Sequence, residues 1–310
     1  MKTSPLYSVV VPVYNSEQTL EKLFERTQET FSELGLQFEM VFVNDCSRDG
    51  SWKVLEKLKK AYPEQVTAIH LAKNFGQHNA LMCGFNQIKG DFVVTIDDDL
   101  QIPPEEITKL IQKQNQTGAD VIYGIYDRKK HNLFRNFGSS AVQLIFRRIF
   151  QTTGNITAFR LIKSSLIYNV RQHRQSFVFI DGLLHWHTQF IERELVRHEK
   201  REFGRSGYSI KKLLLLTSNL LFNFTTYPLR LLVLLGTFFS VSSFMTGMYY
   251  IFRKIFYDVP LGYTSTIVAI FFSSGILLLV IGVVGEYIGR IYSLQNDKPQ
   301  FSVRYKAGSE

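Results

Sequence analysis

The sequence predicts an α/β domain on a mostly parallel sheet, followed by interfacial helices and two transmembrane helices. Three observations carry this prediction. Strand and helix patterns alternate over roughly the first 120 residues, three adjacent aspartates close one of the strands, and two long uncharged stretches occupy the last third of the chain. The expected divisions are an α/β domain over 1–208, an interfacial amphipathic helix over 209–228, a transmembrane hairpin over 229–288 with spans at 229–252 and 261–287, and a tail over 289–310.

Ser8 to Val13 is a β-branched run that ends in Pro12, Tyr14 and Asn15, and Ser16 opens a helical pattern carrying Leu20, Leu23, Phe24, Thr27 and Phe31. Phe38 to Val43 reads as a second buried strand, closed by Asn44-Asp45-Cys46-Ser47-Arg48-Asp49-Gly50 and followed by a helix with Trp52, Leu55 and Leu58. Val66 to Leu71 and Phe92 to Ile96 are the third and fourth strands. Such alternation places helices on both faces of a parallel sheet. Ligands of these sheets bind beyond the carboxyl ends of the strands. Asn15, Asp45, Lys73 with Asn74, and Asp97 to Asp99 all fall at such ends.

Beyond residue 125 the character changes. Asp127 to His131 is a basic loop, and Leu133 to Phe150 reads as a helix mixing aromatic residues with arginines, suited to a snorkelling surface or to a membrane face. Leu231 to Phe252 gives 22 residues without a charge and Leu261 to Gly285 gives 25. Each exceeds the ~20 residues a helix needs to cross the hydrocarbon core. Arg230, Arg290, Lys298, Arg304 and Lys306 on the outer ends outweigh Arg253 and Lys254 in the turn. The positive-inside tendency therefore predicts a multi-pass protein of the cytoplasmic membrane with its large domain and tail in the cytoplasm. Leu213 to Leu229 splits into an apolar and a polar face over 17 residues, the pattern of a helix lying on the membrane, with a third span, which would reverse the topology, as the alternative.

Hydrophobic residues at 45% and 26 phenylalanines exceed what a soluble enzyme of 310 residues needs, which agrees with lipid-facing segments. A net charge of +9 without a zinc-finger or RNA-binding signature points to membrane lipid or phosphorylated ligands, with no nucleic-acid partner. Cys46 and Cys83 have no pairing pattern and suit a reducing compartment.

Three carboxylates side by side at the end of an apolar strand raise one another's pKa unless a cation neutralises them. A divalent ion bridging them to a diphosphate does so, and hard oxygen ligands favour Mg²⁺ or Mn²⁺ over zinc. If the strand persists, Asp97 and Asp99 share one face and Asp98 points to the other. His185 and His187 have a spacing found in some metal sites but no third ligand, and read as packed or exposed side chains.

The ordered segments Val9-Val10-Val11-Pro12-Val13-Tyr14-Asn15, Val43-Asn44-Asp45, Asn74-Phe75-Gly76-Gln77, Asp97-Asp98-Asp99-Leu100-Gln101 with Pro103-Pro104-Glu105, and Gly285-Glu286-Tyr287-Ile288-Gly289-Arg290 resemble the family 2 glycosyltransferases. Within that family the chain is similar to the polyprenyl-phosphate branch, which includes dolichol-phosphate mannose synthase and bacterial undecaprenyl-phosphate sugar transferases. The resemblance implies a GT-A nucleotide-sugar-binding domain and inverting transfer from a nucleotide sugar, usually a UDP-sugar, to undecaprenyl phosphate, within a homo-oligomer. It implies that Pro12 and Tyr14 pack the nucleobase with Asn15 beside them, that Asp45 bonds the base edge, and that Lys73 reaches the nucleotide. It further implies that Asp97 contacts ribose or a metal-bound water and that Asp99 ligates Mg²⁺ or Mn²⁺. Asp98 stands in the donor site where the family has a small residue.

Two departures bear on catalysis. Thr157-Ala158-Phe159-Arg160 replaces a segment in which relatives carry an aspartate proposed as base, and Gly207 replaces a lysine after Ser206. A phosphate monoester is mostly dianionic at neutral pH and attacks without a base. Arg128, Arg160, Arg201 and Arg205 are the candidate clamps for that phosphate, with Arg160 and Arg205 in motif segments. A processive polysaccharide synthase and a non-catalytic nucleotide-sugar scaffold stay open as alternatives.

Overall fold

Alternating side chains decide which way each strand of the α/β unit faces, and its two cores follow from that alternation. The computed structural model describes residues 5–126, 157–199, 227–256, 262–295 and 298–308. In β1 (Leu6–Val13), Tyr7, Val9, Val11 and Val13 enter one core while Val10 enters the other. The first core takes the apolar faces of α1 (Leu20–Leu34), α2 (Ser51–Ala61) and α4 (Ile107–Thr117). The second takes α3 (Gln77–Phe85), α5 (Ser164–Val170) and α6 (Ile180–His187). Helices therefore cover both faces of the sheet, as the sequence predicts.

The remaining strands are β2 (Gln37–Asn44), β3 (Val66–Leu71), β4 (Phe92–Thr95), β5 (Val121–Ile125), β6 (Arg160–Lys163), β7 (Ile191–Leu195) and β8 (Val303–Lys306). Their order is β7-β5-β6-β4-β1-β2-β3-β8. The β4-β1-β2-β3 centre is parallel, so its four carboxyl ends share one edge. β6 runs antiparallel to β4 and β5, and β7 pairs parallel with β5.

Helix α1 begins at Leu20 rather than at Ser16, because residues 14–19 are held as a loop by side chains from the turn after β4 and from the start of α2. It ends at Gly35 in the left-handed conformation (φ 64°), whose N–H bonds Ser32 O while Leu36 N–H bonds Phe31 O. Helix α3 lies against β1 and β2 through Gly84, where an added Cβ would collide with Val10 Cγ1 and approach Val43 Cγ2 at 3.3 Å. Gly84→Ala is expected to cost about 1–3 kcal/mol by overpacking, read as a lower thermal midpoint.

The tail corrects an expectation. The sequence reading has 289–310 as a tail with no strand assigned to it, yet β8 pairs antiparallel with β3, matching Ile69 with Lys306 and His70 with Tyr305. Ala72 N–H donates to Ser302 O at 2.8 Å and Ala307 N–H to Ala68 O at 3.0 Å. β3 would otherwise present an open row of backbone groups at the sheet edge. The pairing is illegible in sequence because the helical hairpin separates the two strands.

The helical unit contains α7 (Tyr227–Phe256) and α8 (Tyr263–Gln295). Leu231–Tyr249 and Phe272–Gly289 are long and apolar enough to cross a membrane. Leu234, Phe244 and Leu278 are 69–70% exposed, an arrangement suited to lipid rather than water. Phe239 and Phe272 join the two helices edge to face, 5.4 Å between centroids. The expected interfacial helix up to residue 226, the helix over 133–150 and the side chain of Arg290 lie outside the described residues.

Candidate active site

Backbone strain marks the edge where ligands are expected. Among the described residues, the non-glycine positions with left-handed backbone are Asn15 (φ 54°), Cys46 (φ 58°) and Leu100 (φ 56°). They follow β1, β2 and β4, and Gly76 (φ 89°) follows β3. Such conformations cost about 1–3 kcal/mol each for most residues and cluster at functional sites. All four loops lie at the carboxyl edge of the parallel strands, where α/β sheets bind ligands.

The aspartate segment is a turn, because β4 ends at Thr95. The strand alternation expected for Asp97 to Asp99 therefore does not apply. Asp97 Oδ1 accepts Gln77 Nε2 at 2.6 Å. Asp99 Oδ1 accepts the Gln101 N–H at 3.1 Å across the left-handed Leu100. Asp98 is engaged by the neighbouring loop: Oδ2 accepts the Tyr14 N–H at 2.9 Å and the Ser16 hydroxyl. Burial pushes its carboxyl up to about 6, against the pull of those two bonds. Asp98 clamps the loop after β1 to the aspartate turn.

Three further expected site residues are enclosed by the fold. Pro12 is buried inside β1, paired with Val43, so its ring cannot pack a base. Asp45 is 4% exposed, and its two oxygens accept the Phe75 and Gly76 N–H groups at 2.7 and 2.8 Å. Burial raises its pKa while these bonds lower it, and the carboxylate shapes the loop after β3. Arg160 is 2% exposed, with Nε and Nη2 on Asp181 Oδ1 at 2.8 and 2.7 Å and Nη1 within 3.3 Å of Thr95 Oγ1 and Ala158 O. A guanidinium so enclosed is a strut beneath β4, not a clamp for an incoming phosphate.

Tyr14 (46% exposed), Asn15 and Lys73 do face the edge. Asn15 Oδ1 accepts the Arg48 N–H at 2.8 Å, lacing the loops after β1 and β2, and Lys73 Nζ lies 4.9 Å from the centre of the Phe75 ring. Arg128, Arg201 and Arg205 lie outside the described residues. Gln77, Ser16, Asn44 and Asp181 escaped the sequence reading as site residues. Gln77 stood inside a quoted motif, whereas Asp181 gives no signal beyond one acid in an apolar run.

Behind the site, His78 packs edge to face on Phe179, with Nδ1 3.4 Å from the Ile180 N–H. Burial pushes it down to about 4, with Asp181 raising and Arg160 lowering it. A histidine neutral when folded and protonated when unfolded makes stability complete above pH ~6.5 and lost as pH falls toward its folded value, by about 1.4 kcal/mol per unit at most. His78→Gln is expected to flatten that part of the urea-unfolding profile.

The donor set suits a cation held jointly. Among the described residues no three or more His, Cys, Asp or Glu side chains converge on one point. Mg²⁺ and Mn²⁺ commonly take one or two carboxylates and complete their shells with phosphate oxygens and water, and Asp97 and Asp99 offer such carboxylates at the strained edge.

Residues 8–175 match Glycosyl transferase family 2 and residues 227–291 match the GtrB C-terminal hairpin. Undecaprenyl-phosphate 4-deoxy-4-formamido-L-arabinose transferase of Pectobacterium atrosepticum is 34% identical over 305 residues, covering 96% of this chain and 92% of that protein. The protein of the same name from Pseudomonas aeruginosa is 35% identical over 313 residues, covering 98% and 91%. Among solved structures, glucosyl-3-phosphoglycerate synthase from Mycobacterium tuberculosis with Mn²⁺ and UDP-glucose superposes with TM-score 0.48 at 15% identity, covering 70% of this chain and 77% of that one. The family match runs across the strained loops of the parallel edge and the relatives align from end to end, so the chain belongs to glycosyl transferase family 2, its membrane-associated hairpin included.

Proposed function

We propose that this glycosyltransferase moves a sugar from a UDP donor to undecaprenyl phosphate with inversion, at the cytoplasmic face of the membrane, for envelope polysaccharide or lipid modification. The observation that carries the reading is the convergence of Asn15, Cys46, Gly76 and Leu100, all with positive φ, with Asp97 and Asp99 on one edge of the parallel sheet. The relatives' names supply the acceptor and a first candidate sugar, 4-deoxy-4-formamido-L-arabinose.

Tyr14 and Asn15 border the nucleoside and Lys73 reaches toward its phosphates. Asp97 and Asp99 would hold Mg²⁺ or Mn²⁺, which when bound neutralises charge developing on the departing diphosphate. Gln77 fixes the Asp97 carboxylate through its 2.6 Å bond. Arg128, Arg201 and Arg205 are assigned to the acceptor phosphate. Ala158 offers no base, and the dianionic phosphate oxygen needs none. The chain's contribution is positioning and exclusion of water around the anomeric carbon.

The full chain in detergent, incubated with UDP-4-deoxy-4-formamido-L-arabinose, UDP-glucose or UDP-N-acetylglucosamine, Mn²⁺ and undecaprenyl phosphate, tests this. A lipid-linked monosaccharide is expected. A growing polymer would instead indicate a processive synthase, and nucleotide binding without turnover a scaffold.

A further inference from the structure

The C-terminal strand reaches the donor edge through a continuous set of side chains. Tyr305 of β8 stacks on His70 of β3, 4.7 Å between centroids and 1° between planes, and Trp52 meets both rings edge-on at 5.1 Å. His70 Nδ1 lies 2.8 Å from Asn44 Nδ2. The Asn44 carbonyl oxygen accepts both the N–H and the hydroxyl of Ser47, which fixes the amide so that its nitrogen donates to His70. Nδ1 is then the acceptor and the imidazole is neutral, its proton on Nε2. Ser47 Oγ in turn accepts the Asn15 N–H at 2.9 Å, in the left-handed turn after β1. A second path leaves the same cluster, since Ser51, beside Trp52, accepts the Ser16 N–H at 2.9 Å.

We infer that β8 is a positioning element of the donor site, holding the loops after β1 and β2 in their nucleotide-binding form through Tyr305, His70, Asn44, Ser47 and Asn15. The inference rests on the nucleotide reading above. Asn44 is fully buried and His70 is 6% exposed, so neither has water as a ready alternative partner. The Ala72 N–H bond to Ser302 O adds a direct tie next to Lys73. In sequence, β8 follows the apolar hairpin by a few residues, so the segment that leaves the membrane helices is also the one that finishes the donor edge. Asn44, Ser47 and His70 act through Asn15 and do not touch the reacting atoms.

UDP binding to the full chain in detergent with Mn²⁺, measured by titration calorimetry beside thermal midpoints, tests this. His70→Phe keeps a ring for Tyr305 and Trp52 but removes the acceptor for Asn44, and is expected to weaken UDP about tenfold, the scale of one lost buried hydrogen bond. Tyr305→Ala is expected to act in the same direction, raising the KM for the donor while kcat at saturating donor stays near that of the unsubstituted chain. Tyr305→Phe, whose ring is retained, is expected to bind as the unsubstituted chain does. A folded His70→Phe or Tyr305→Ala variant with unchanged UDP affinity, or with only kcat lowered, would overturn the inference. An unsubstituted chain that binds none of UDP, GDP or CDP would overturn the nucleotide reading itself, and this inference with it.

Discussion

Asp99→Asn is expected to lower kcat by about 100–1,000-fold, the range found when one group that stabilises developing charge is removed. The substitution preserves shape, and the amide oxygen still faces the Gln101 N–H that Asp99 Oδ1 now accepts, so the thermal midpoint is expected to stay close to its original value. What is lost is the negative charge that holds a divalent cation against a diphosphate. Asp97→Asn is expected to fall in the same way, because its carboxylate is held on the same edge by Gln77. Asp98→Asn should behave differently. Its carboxylate binds the Tyr14 N–H and the Ser16 hydroxyl, so the main effect expected is a higher KM for the donor. Steady-state kinetics at varied Mn²⁺ separate the three aspartates. Equal loss of kcat in all three variants would refute their division into ligands and clamp.

The second large effect concerns stability. Asp181→Ala is expected to cost about 3–5 kcal/mol, because it strands a buried arginine charge. Arg160 is 2% exposed and Asp181 is 4% exposed, and the Tyr123 hydroxyl also donates to Asp181 Oδ1 at 3.0 Å. Burial lowers the Arg160 pKa, but the charge of Asp181, with the Tyr123 phenol oxygen, holds it above its ordinary value. The double substitution Arg160→Met with Asp181→Leu removes both charges and is expected to recover much of the loss, since apolar replacements of buried ion pairs are often neutral. Urea denaturation of the single and double variants decides it. A double variant as unstable as the single one would show that the pair is needed for more than mutual neutralisation.

The parallel core was legible because four strand-like runs precede residue 100, the first two each followed by helical periodicity. β3 matches its sequence reading at both ends, and β1, β2 and β4 do so to within about two residues. β8 was not legible, because its pairing with β3 spans most of the chain and a four-residue strand of mixed polarity has no periodic signature. The location of the site was legible from strand ends, yet the individual roles were less so. Asp45 and Asp98 looked like ligand contacts since acids at strand ends attract that reading. The structure spends both on backbone N–H groups of neighbouring loops, a use that depends on which loops lie side by side. Arg160 looked like a phosphate clamp until Asp181, some twenty residues away in sequence, proved to be its partner. Glycine-like backbone at Cys46 and Leu100 has no sequence signal at all, and these strained positions are what mark the edge in the folded chain.

We assign Asp97 and Asp99 to hold a divalent cation against the diphosphate of a nucleotide sugar. Crystals of the full chain soaked with UDP and Mn²⁺ test it by anomalous scattering at the manganese edge. One anomalous peak is expected within about 2.0–2.3 Å of an Asp99 or Asp97 carboxylate oxygen, with the uracil beside Tyr14. A peak away from both aspartates, or UDP bound with its diphosphate turned from this edge, would contradict it.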